Sequence, residues 1–359
     1  MAQIDVTIPG FQVEVPETDL SPVLGSLVTL SQQIEMLSVQ VATLLEEEPE
    51  PKPASYEPPT PYRAVRGQCS IATSRDRVER FLGALAAAGT TDYYYPTVLS
   101  YDGQAYWRTN LIPTADCVTD EYDPLETVVE IGYEMGMRVH SLVIAAFTPL
   151  SVPEWDLMHT RGLGEHWLDF TISEARRFLG DCCAEIANRY GIEGIALDYC
   201  RWKGTWATEL GLSAEPIAAT VAEIRERVHN VAPGMAIGMT PLADPRYAET
   251  DCGQPWASML NSGLVEYVQP MCYSPKNQDY INYWIDLWQE WVDADKQERI
   301  YARPSCVWWD PAYEYKPVNQ VVEELERFRE RGYVRRGLWD DYRIEKQPDL
   351  IAALADGGW

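Results

Sequence analysis

Gly191-Ile192-Glu193-Gly194-Ile195-Ala196-Leu197-Asp198-Tyr199-Cys200-Arg201-Trp202 opens as a short apolar run and ends abruptly in an acid, a phenol, a guanidinium and an indole. Such a run is the pattern of a parallel strand buried on both faces, with its last residues emerging at a sheet end. In parallel α/β folds, chemistry is assembled at the carboxyl ends of the strands. Asp198, with Arg201 just beyond it, is therefore positioned to meet a ligand. The same two residues would serve equally well as an ion pair closing off the strand, and the stretch alone does not choose between these roles.

Working outward, the pattern repeats. Further strand-like stretches fall at 64–71, 92–99, 137–147, 235–239, 265–273, 300–307 and 337–342. Stretches with helical period lie between them at 74–89, 123–136, 172–190, 216–231, 279–294 and 318–331. Ser74 and Asp123-Pro124 read as helix starts, and Gly89 as a helix stop. Eight strands alternating with helices over roughly 280 residues match a (β/α)8 TIM barrel in number and size. A doubly wound open sheet is the alternative. It loses support because no Gly-x-Gly-x-x-Gly follows the first strand and no Walker-type loop occurs.

The residues just past the strands share one chemistry. Strand two holds Tyr95 and is followed by Trp107; strand four ends in Asp198, Tyr199, Arg201 and Trp202; strand five leads to Asp244. Strand six carries Gln269 and Tyr273, strand seven leads to Trp308 and Asp310, and strand eight ends in Trp339, Asp340 and Asp341. Aromatic faces cover the C–H faces of a sugar ring, while carboxylates and amides bind its hydroxyls. Any one tryptophan is better explained by packing between loop and barrel, but six strand ends with the same mixture are not. Glycosidic cleavage uses two carboxyl groups, one donating a proton to the leaving oxygen and one attacking carbon or activating water. Asp198 is the candidate for the ionised partner, with Arg201 holding its pKa down. Asp341, Asp340 and Asp244 are the candidates for the acid; Asp340 and Asp341 are adjacent and cannot both point inward from a regular strand.

Ahead of the barrel the pattern differs. Residues 1–19 contain a short alternating β element around Pro9-Gly10. Over 20–46, Leu27, Leu30, Ile34, Leu37, Val41 and Leu44 fall at alternating spacings of three and four, the seam of a coiled coil. Self-association through 20–45 as a dimer or trimer is expected, with an amphipathic helix lying on the main domain as the bland alternative. Residues 47–62 are rich in proline and glutamate and read as an extended linker. The expected organisation is thus an attachment element, a stalk, a spacer and a barrel over 63–359.

Composition limits the partners. The chain of 359 residues carries 29 basic and 55 acidic side chains, a net charge of −26. That excess argues against nucleic acid and anionic membranes. No apolar run is long enough to span a bilayer, and the N-terminus has neither the basic nor the apolar region of a secretory signal. Synthesis in the cytoplasm follows as the expectation. Eight scattered cysteines without Cys-x-x-Cys, and four histidines without ligand spacing, point to free thiols, no metal and no cofactor.

Several motifs, in order, resemble a known group. They are Tyr95-Pro96-Thr97-Val98, Asp123-Pro124-Leu125, Gly136-Met137-Arg138-Val139-His140, Gly194 to Arg201, Gly238-Met239-Thr240-Pro241 and Val268-Gln269-Pro270-Met271-Cys272-Tyr273. Over about 63–345 the chain resembles the glycosyl-hydrolase-like TIM-barrel families, the family-10-like glycosidases. The resemblance implies a barrel acting on polysaccharide, including peptidoglycan glycan, with Asp198 matching the strand-four acid. Where relatives carry a second acid beside it, this chain has Tyr199. A glycosidase head on a self-associating stalk also resembles phage tail-tip, tail-fibre or tailspike architecture, which implies a virion protein acting outside the cell and a particle protein bound to the N-terminal segment. A non-catalytic glycan-binding head and a purely structural particle component are the competing expectations.

Overall fold

The computed structural model describes residues 61–67, 71–98, 103–146, 167–276, 278–308, 314–339 and 344–359. The expected β element (1–19), the coiled-coil helix (20–46) and all but the end of the linker (47–62) lie outside them, as do Asp310, Asp340 and Asp341. The chain divides into two units, Met1–Lys52 and Pro53–Trp359, and the described residues belong to the second.

Seven strands form one parallel sheet in the order β6-β5-β4-β3-β2-β1-β9. They are β1 (Arg63–Arg66), β2 (Asp92–Pro96), β3 (Arg138–Ile144), β4 (Gly194–Asp198), β5 (Ala236–Thr240), β6 (Tyr267–Val268) and β9 (Arg336–Trp339). A second parallel pair is made by β7 (Met271–Cys272) and β8 (Arg303–Pro304). Single parallel bridges, Leu242 to Met271, Val268 to Ile300, Ala302 to Arg336 and Ser305 to Trp339, carry the pairing onward from β5 and β6 to β9. The result is a curled parallel sheet with helices packed outside it, a TIM-barrel-like α/β architecture. The expected strand over 265–273 is split into β6 and β7 at Gln269-Pro270, because proline has no N–H to give to a ladder.

The helices are α1 (Arg75–Ala87), α2 (Pro124–Glu134), α3 (Ser173–Arg189), α4 (Trp206–Leu210), α5 (Glu215–Val231), α6 (Pro245–Cys252), α7 (Trp256–Asn261), α8 (Ile281–Trp291), α9 (Val318–Glu330) and α10 (Pro348–Ala353). Asp123 caps α2 through its side chain, accepting from the N–H groups of Leu125 and Glu126 at 3.1 and 3.3 Å. Ser74 stands at the corresponding position of α1 without a side-chain hydrogen bond.

Side-chain alternation sorts the strands into two cores. The large one lies between sheet and helices and includes Val65, Tyr93, Tyr95, Val139, Val143, Ile195, Leu197, Ile237, Met239 and Leu338. The small one fills the concave side of the sheet: Tyr62, Ala64, Tyr94, Leu142, Ala196, Ala236, Tyr267 and Tyr301. Large rings face small residues across it. A Cβ on Gly238 would stand 2.3 Å from the Tyr267 ring, so that position must be glycine for the tyrosine to fit. Lower in this inner core, Asp92 accepts from Arg138 at 2.5 Å and pairs with the His140 ring, which stacks on Tyr94 at 4.3 Å.

Candidate active site

The inner core fixes which residues line the concave face at the carboxyl ends of the strands. Counting by twos from Ala64, Ala196, Ala236, Tyr267 and Tyr301 leads to Arg66, Asp198, Thr240, Gln269 and Arg303. All five are nearly fully buried, Asp198 at 1% exposure. Strand register places Thr240 directly beside Asp198. The Asp198 carboxylate is fully engaged: Oδ2 accepts from Arg66 Nη2 at 2.7 Å, and Oδ1 accepts from Thr240 Oγ1 at 2.7 Å and from the Tyr199 N–H at 3.0 Å. Burial alone would push this carboxyl up. The guanidiniums of Arg66 and Arg303, the Thr240 hydroxyl and, last, Arg201 outweigh burial and hold it below the usual carboxylate range. Asp198 is therefore an ionised group, suited to attack or to base work and unsuited to donating a proton.

The cation bound to Asp198 differs from the one expected. Arg201 lies with its guanidinium 4.9 Å from the Tyr199 ring centre and 6.0 Å from that of Trp167, and reaches the Trp202 carbonyl at 3.4 Å. The cause is the backbone at Tyr199, where φ is 52°. It is the one non-glycine residue with positive φ among the described residues. The turn sends the chain away from the strand direction, so Arg201 leaves the inner face. A left-handed aromatic residue directly after a buried charge is the kind of strain found at functional sites.

The turn also builds an aromatic patch. The Trp167 ring meets those of Tyr199 and Trp206 edge-on, each at 6.0 Å, and the Lys203 ammonium lies 5.7 Å from the Trp206 ring. Tyr199 and Trp206 are half-buried, each with part of its surface left to solvent. Neither Trp167 nor Trp206 is among the site residues expected from sequence; both stand in stretches without strand or long-helix pattern. A second aromatic pair, Tyr273 and Trp339, stacks at 4.9 Å, and Trp339 is in register with Arg66.

Other expected site residues are used for packing. Tyr95 belongs to the sheet–helix core, because its parity on β2 is opposite to that of the inward Tyr94. Trp107 is fully buried in the same core. Trp202 is buried against Phe170, its indole N–H donates to the Ser213 carbonyl at 3.0 Å, and it lies where a Cβ on Gly253 would come within 2.6 Å. Trp308 is buried beneath Lys316, 5.0 Å from its ring centre. Asp244 is the N-cap of α6, accepting from the N–H groups of Arg246 and Tyr247 at 2.9 and 3.1 Å and from the Tyr283 hydroxyl at 2.7 Å. Its carboxylate is committed to that helix start, not to the concave face. Gln269 does face inward and donates to the Tyr62 hydroxyl at 3.0 Å.

Among the described residues, no group of three or more His, Cys, Asp or Glu is arranged to hold a metal ion. No described helix is long and apolar enough to cross a membrane. Cys182, Cys183, Cys200, Cys252 and Cys272 are free thiols.

No family model matches the chain. It is similar to the glycosyl hydrolase DigH of Escherichia coli K12 and of Shigella flexneri, 21% identical over 266 residues in each case. These matches cover 55% of this chain and 58% of each relative, so the chain spans little more than half the length of the curated relatives it matches. Among solved structures, the PgaB (BpsB) glycoside hydrolase domain of Bordetella bronchiseptica superposes with a TM-score of 0.67 at 12% identity, covering 82% of this chain and 98% of that one. Alpha-L-fucosidase isoenzyme 2 of Paenibacillus thiaminolyticus gives 0.60 at 14% identity, with 82% and 48% covered. A GH18 chitinase of Pseudoalteromonas aurantia gives 0.54 at 13% identity, with 82% and 99% covered. The chain has a glycoside-hydrolase-like fold and a distant homology to glycoside hydrolases.

Proposed function

We propose that the barrel over 63–359 is a glycoside hydrolase that cleaves a cell-surface polysaccharide or peptidoglycan glycan, with Asp198 as its ionised carboxylate. The observation that carries this reading is the setting of Asp198: a charged acid at the inner carboxyl end of β4, held ionised by Arg66 and Thr240. Beside it stand half-buried rings of the kind that take up sugar faces. Asp198 acts as nucleophile, or as base toward water, and a second, protonated carboxyl protonates the leaving oxygen. Asp341 and Asp340, which follow β9, are the candidates for that acid. Separations from Asp198 of about 5 Å suit retention and about 6.5–9.5 Å suit inversion. The full chain assembles through 20–45 as a trimer or dimer and is displayed on a particle such as a phage tail, with 1–19 as its attachment. It is made in the cytoplasm and works on glycans outside.

The test is release of reducing ends from a panel of bacterial surface glycans and peptidoglycan. Wild type is expected to release them and Asp198→Asn to bind without turnover; turnover by Asp198→Asn removes the assigned role. The assembly reading has its own measurement: deletion of residues 1–50 is expected to give a monomer by light scattering, and an unchanged mass rejects it.

One observation favours a second reading, a glycan-binding head without catalysis. Among the described residues on the inner face at the carboxyl ends of the strands, Asp198 is the one carboxylate, and its oxygens are already engaged. Glycan binding that is equal in wild type and Asp198→Asn, with no turnover by either, supports that alternative.

A further inference from the structure

Arg303 breaks the rule by which this fold treats its buried cations. Lys316 is fully buried, and its ammonium has both oxygens of Glu324 at 2.9 and 2.7 Å. Arg66 has Asp198. Arg303, on β8, has the same inward parity as Tyr301 of the inner core and is 1% exposed, yet Nε, Nη1 and Nη2 all have no hydrogen-bond partner among the described residues. On the neighbouring strand segment, Gln269 spends its amide N–H on Tyr62 and leaves Oε1 without a partner. The concave face at this end thus holds two guanidiniums, one carboxylate and an idle amide oxygen among the described residues. A buried guanidinium without partners is strongly unfavourable. Replacing it by an apolar side chain would suit an empty barrel better.

We propose that Arg303 is the recognition group for an oxyanion carried by the glycan, so that the substrate class is an acidic sugar. The inference rests on the assignment of Asp198 as the reacting carboxylate. The planar fork of guanidinium donors matches a carboxylate bidentately, and a sulfate ester nearly as well. The idle Gln269 Oε1 accepts from a hydroxyl of the same ring. Arg66 cannot take this part without releasing Asp198. The net charge of −26 repels a polyanion at long range, but over roughly a Debye length of 8 Å in physiological salt that repulsion is screened. Affinity for an acidic glycan is therefore expected to hold or rise with added salt, the opposite of what a basic surface patch produces.

The experiment uses the full chain carrying Asp198→Asn, with and without Arg303→Gln, on an array of paired glycans: uronic-acid or lactyl-bearing chains, the same chains with their carboxyls reduced to alcohols, and sulfated counterparts. The expected result is binding to the carboxylate forms, at least tenfold weaker binding to the reduced forms, and loss of that preference in Arg303→Gln. Preference for the sulfated chains, also lost with Arg303, assigns the same fork to a sulfate ester. Binding confined to neutral chains, binding to no acidic chain, or a preference unchanged by Arg303→Gln overturns the proposal. Thermal melting of Arg303→Gln and Arg303→Met checks that the fold survives. The comparison is made in the Asp198→Asn background, where the carboxylate that Arg303 helps to hold ionised is gone; there an unpartnered charge predicts no further loss of Tm, and a fall of several degrees would mean that Arg303 has a structural partner and is not held for a ligand. Release of reducing ends by wild type is read separately. Cleavage of neutral glycans with no acidic binding keeps hydrolysis and discards the acidic-sugar assignment. Acidic binding without cleavage does the reverse.

Discussion

Arg66 and Asp198, 132 residues apart, meet inside the curled sheet, Arg66 Nη2 donating to Asp198 Oδ2 at 2.7 Å with both side chains buried. The pair joins the end of β1 to the end of β4, so it ties together elements that do not pair along any ladder. Breaking a buried pair from one side leaves the other charge stranded, at a cost of about 3–5 kcal/mol.

Arg66→Met is therefore expected to destabilise the domain at neutral pH, toward the lower end of that range because Thr240 still donates to Asp198. The direction with pH follows from linkage. In wild type the folded Asp198 pKa lies below its unfolded value, so its contribution is present above about pH 4 and is lost as pH falls through the folded pKa. Without Arg66, burial dominates and the folded pKa rises, so ionisation then opposes folding. The gap between variant and wild type is expected to be widest near pH 7 and to narrow toward pH 4.5. Denaturant titrations at the two pH values measure it, and a gap that widens on acidification contradicts the assignment.

Thr240→Val removes the neutral donor at the same carboxylate while keeping the side-chain shape. A hydrogen bond to a charged group contributes about 1.5–3 kcal/mol. A loss of about 2 kcal/mol in unfolding free energy is expected, together with an upward shift of the acidic limb of any pH–turnover profile. An unshifted limb would mean that Asp198 is not the group that titrates.

Part of this was legible beforehand. The β4 run stops being apolar at Asp198, and that break marked the strand end and its inward acid correctly. Its partner was not legible, because Asp-x-x-Arg draws attention to Arg201, whereas the curl of the sheet brings in Arg66 from three strands away. The run Asp92-Tyr93-Tyr94-Tyr95-Pro96 carries no alternation of polarity, so nothing in it says that Tyr94 faces inward and Tyr95 outward. The short helices α4, between β4 and α5, and α6 and α7, between β5 and β6, are too brief to display a period. Arg303 is itself a signal in the sequence: it is the one charged residue in the run 300–307, and a charge at such a position is rarely surplus.

Two tryptophans near the strand-four end should separate packing from binding. Trp202 is buried with its N–H satisfied, so Trp202→Ala is expected to cost about 3–5 kcal/mol in stability. Trp206 is half-buried, its ring edge-on to Trp167. Trp206→Ala is expected to leave the melting temperature within a few degrees of wild type and to weaken glycan binding by about 1 kcal/mol, roughly fivefold. Calorimetry against any bound glycan, with melting curves alongside, reads both. The reverse pattern would make the patch structural.

Gly238 offers a test of the inner core that does not touch the charged residues. Its missing side chain makes room for the Tyr267 ring, 2.3 Å from where a Cβ would be. Gly238→Ala is expected to lose about 1–3 kcal/mol through forced displacement of that ring. Gly238→Ala with Tyr267→Leu should recover part of it, because the overlap is then gone. Non-additivity measured in a double-mutant cycle is the signature. Additive losses would place the ring elsewhere.

Tyr199 bears on function through its backbone. A φ of 52° suits glycine and is unfavourable by about 1 kcal/mol for a residue with a Cβ. Tyr199→Gly relieves the backbone and removes the ring over which Arg201 lies; Tyr199→Ala removes the ring and keeps the strain. The glycine variant should therefore be the more stable of the two by about 1 kcal/mol, an offset that the lost ring cannot produce because both variants lack it. If strain at this turn also orients the Tyr199 N–H toward Asp198 Oδ1, 3.0 Å away, the glycine variant should gain stability over alanine while turning over glycan no faster. Equal stabilities would mean the turn is relaxed, and Tyr199 would then be retained for its ring alone.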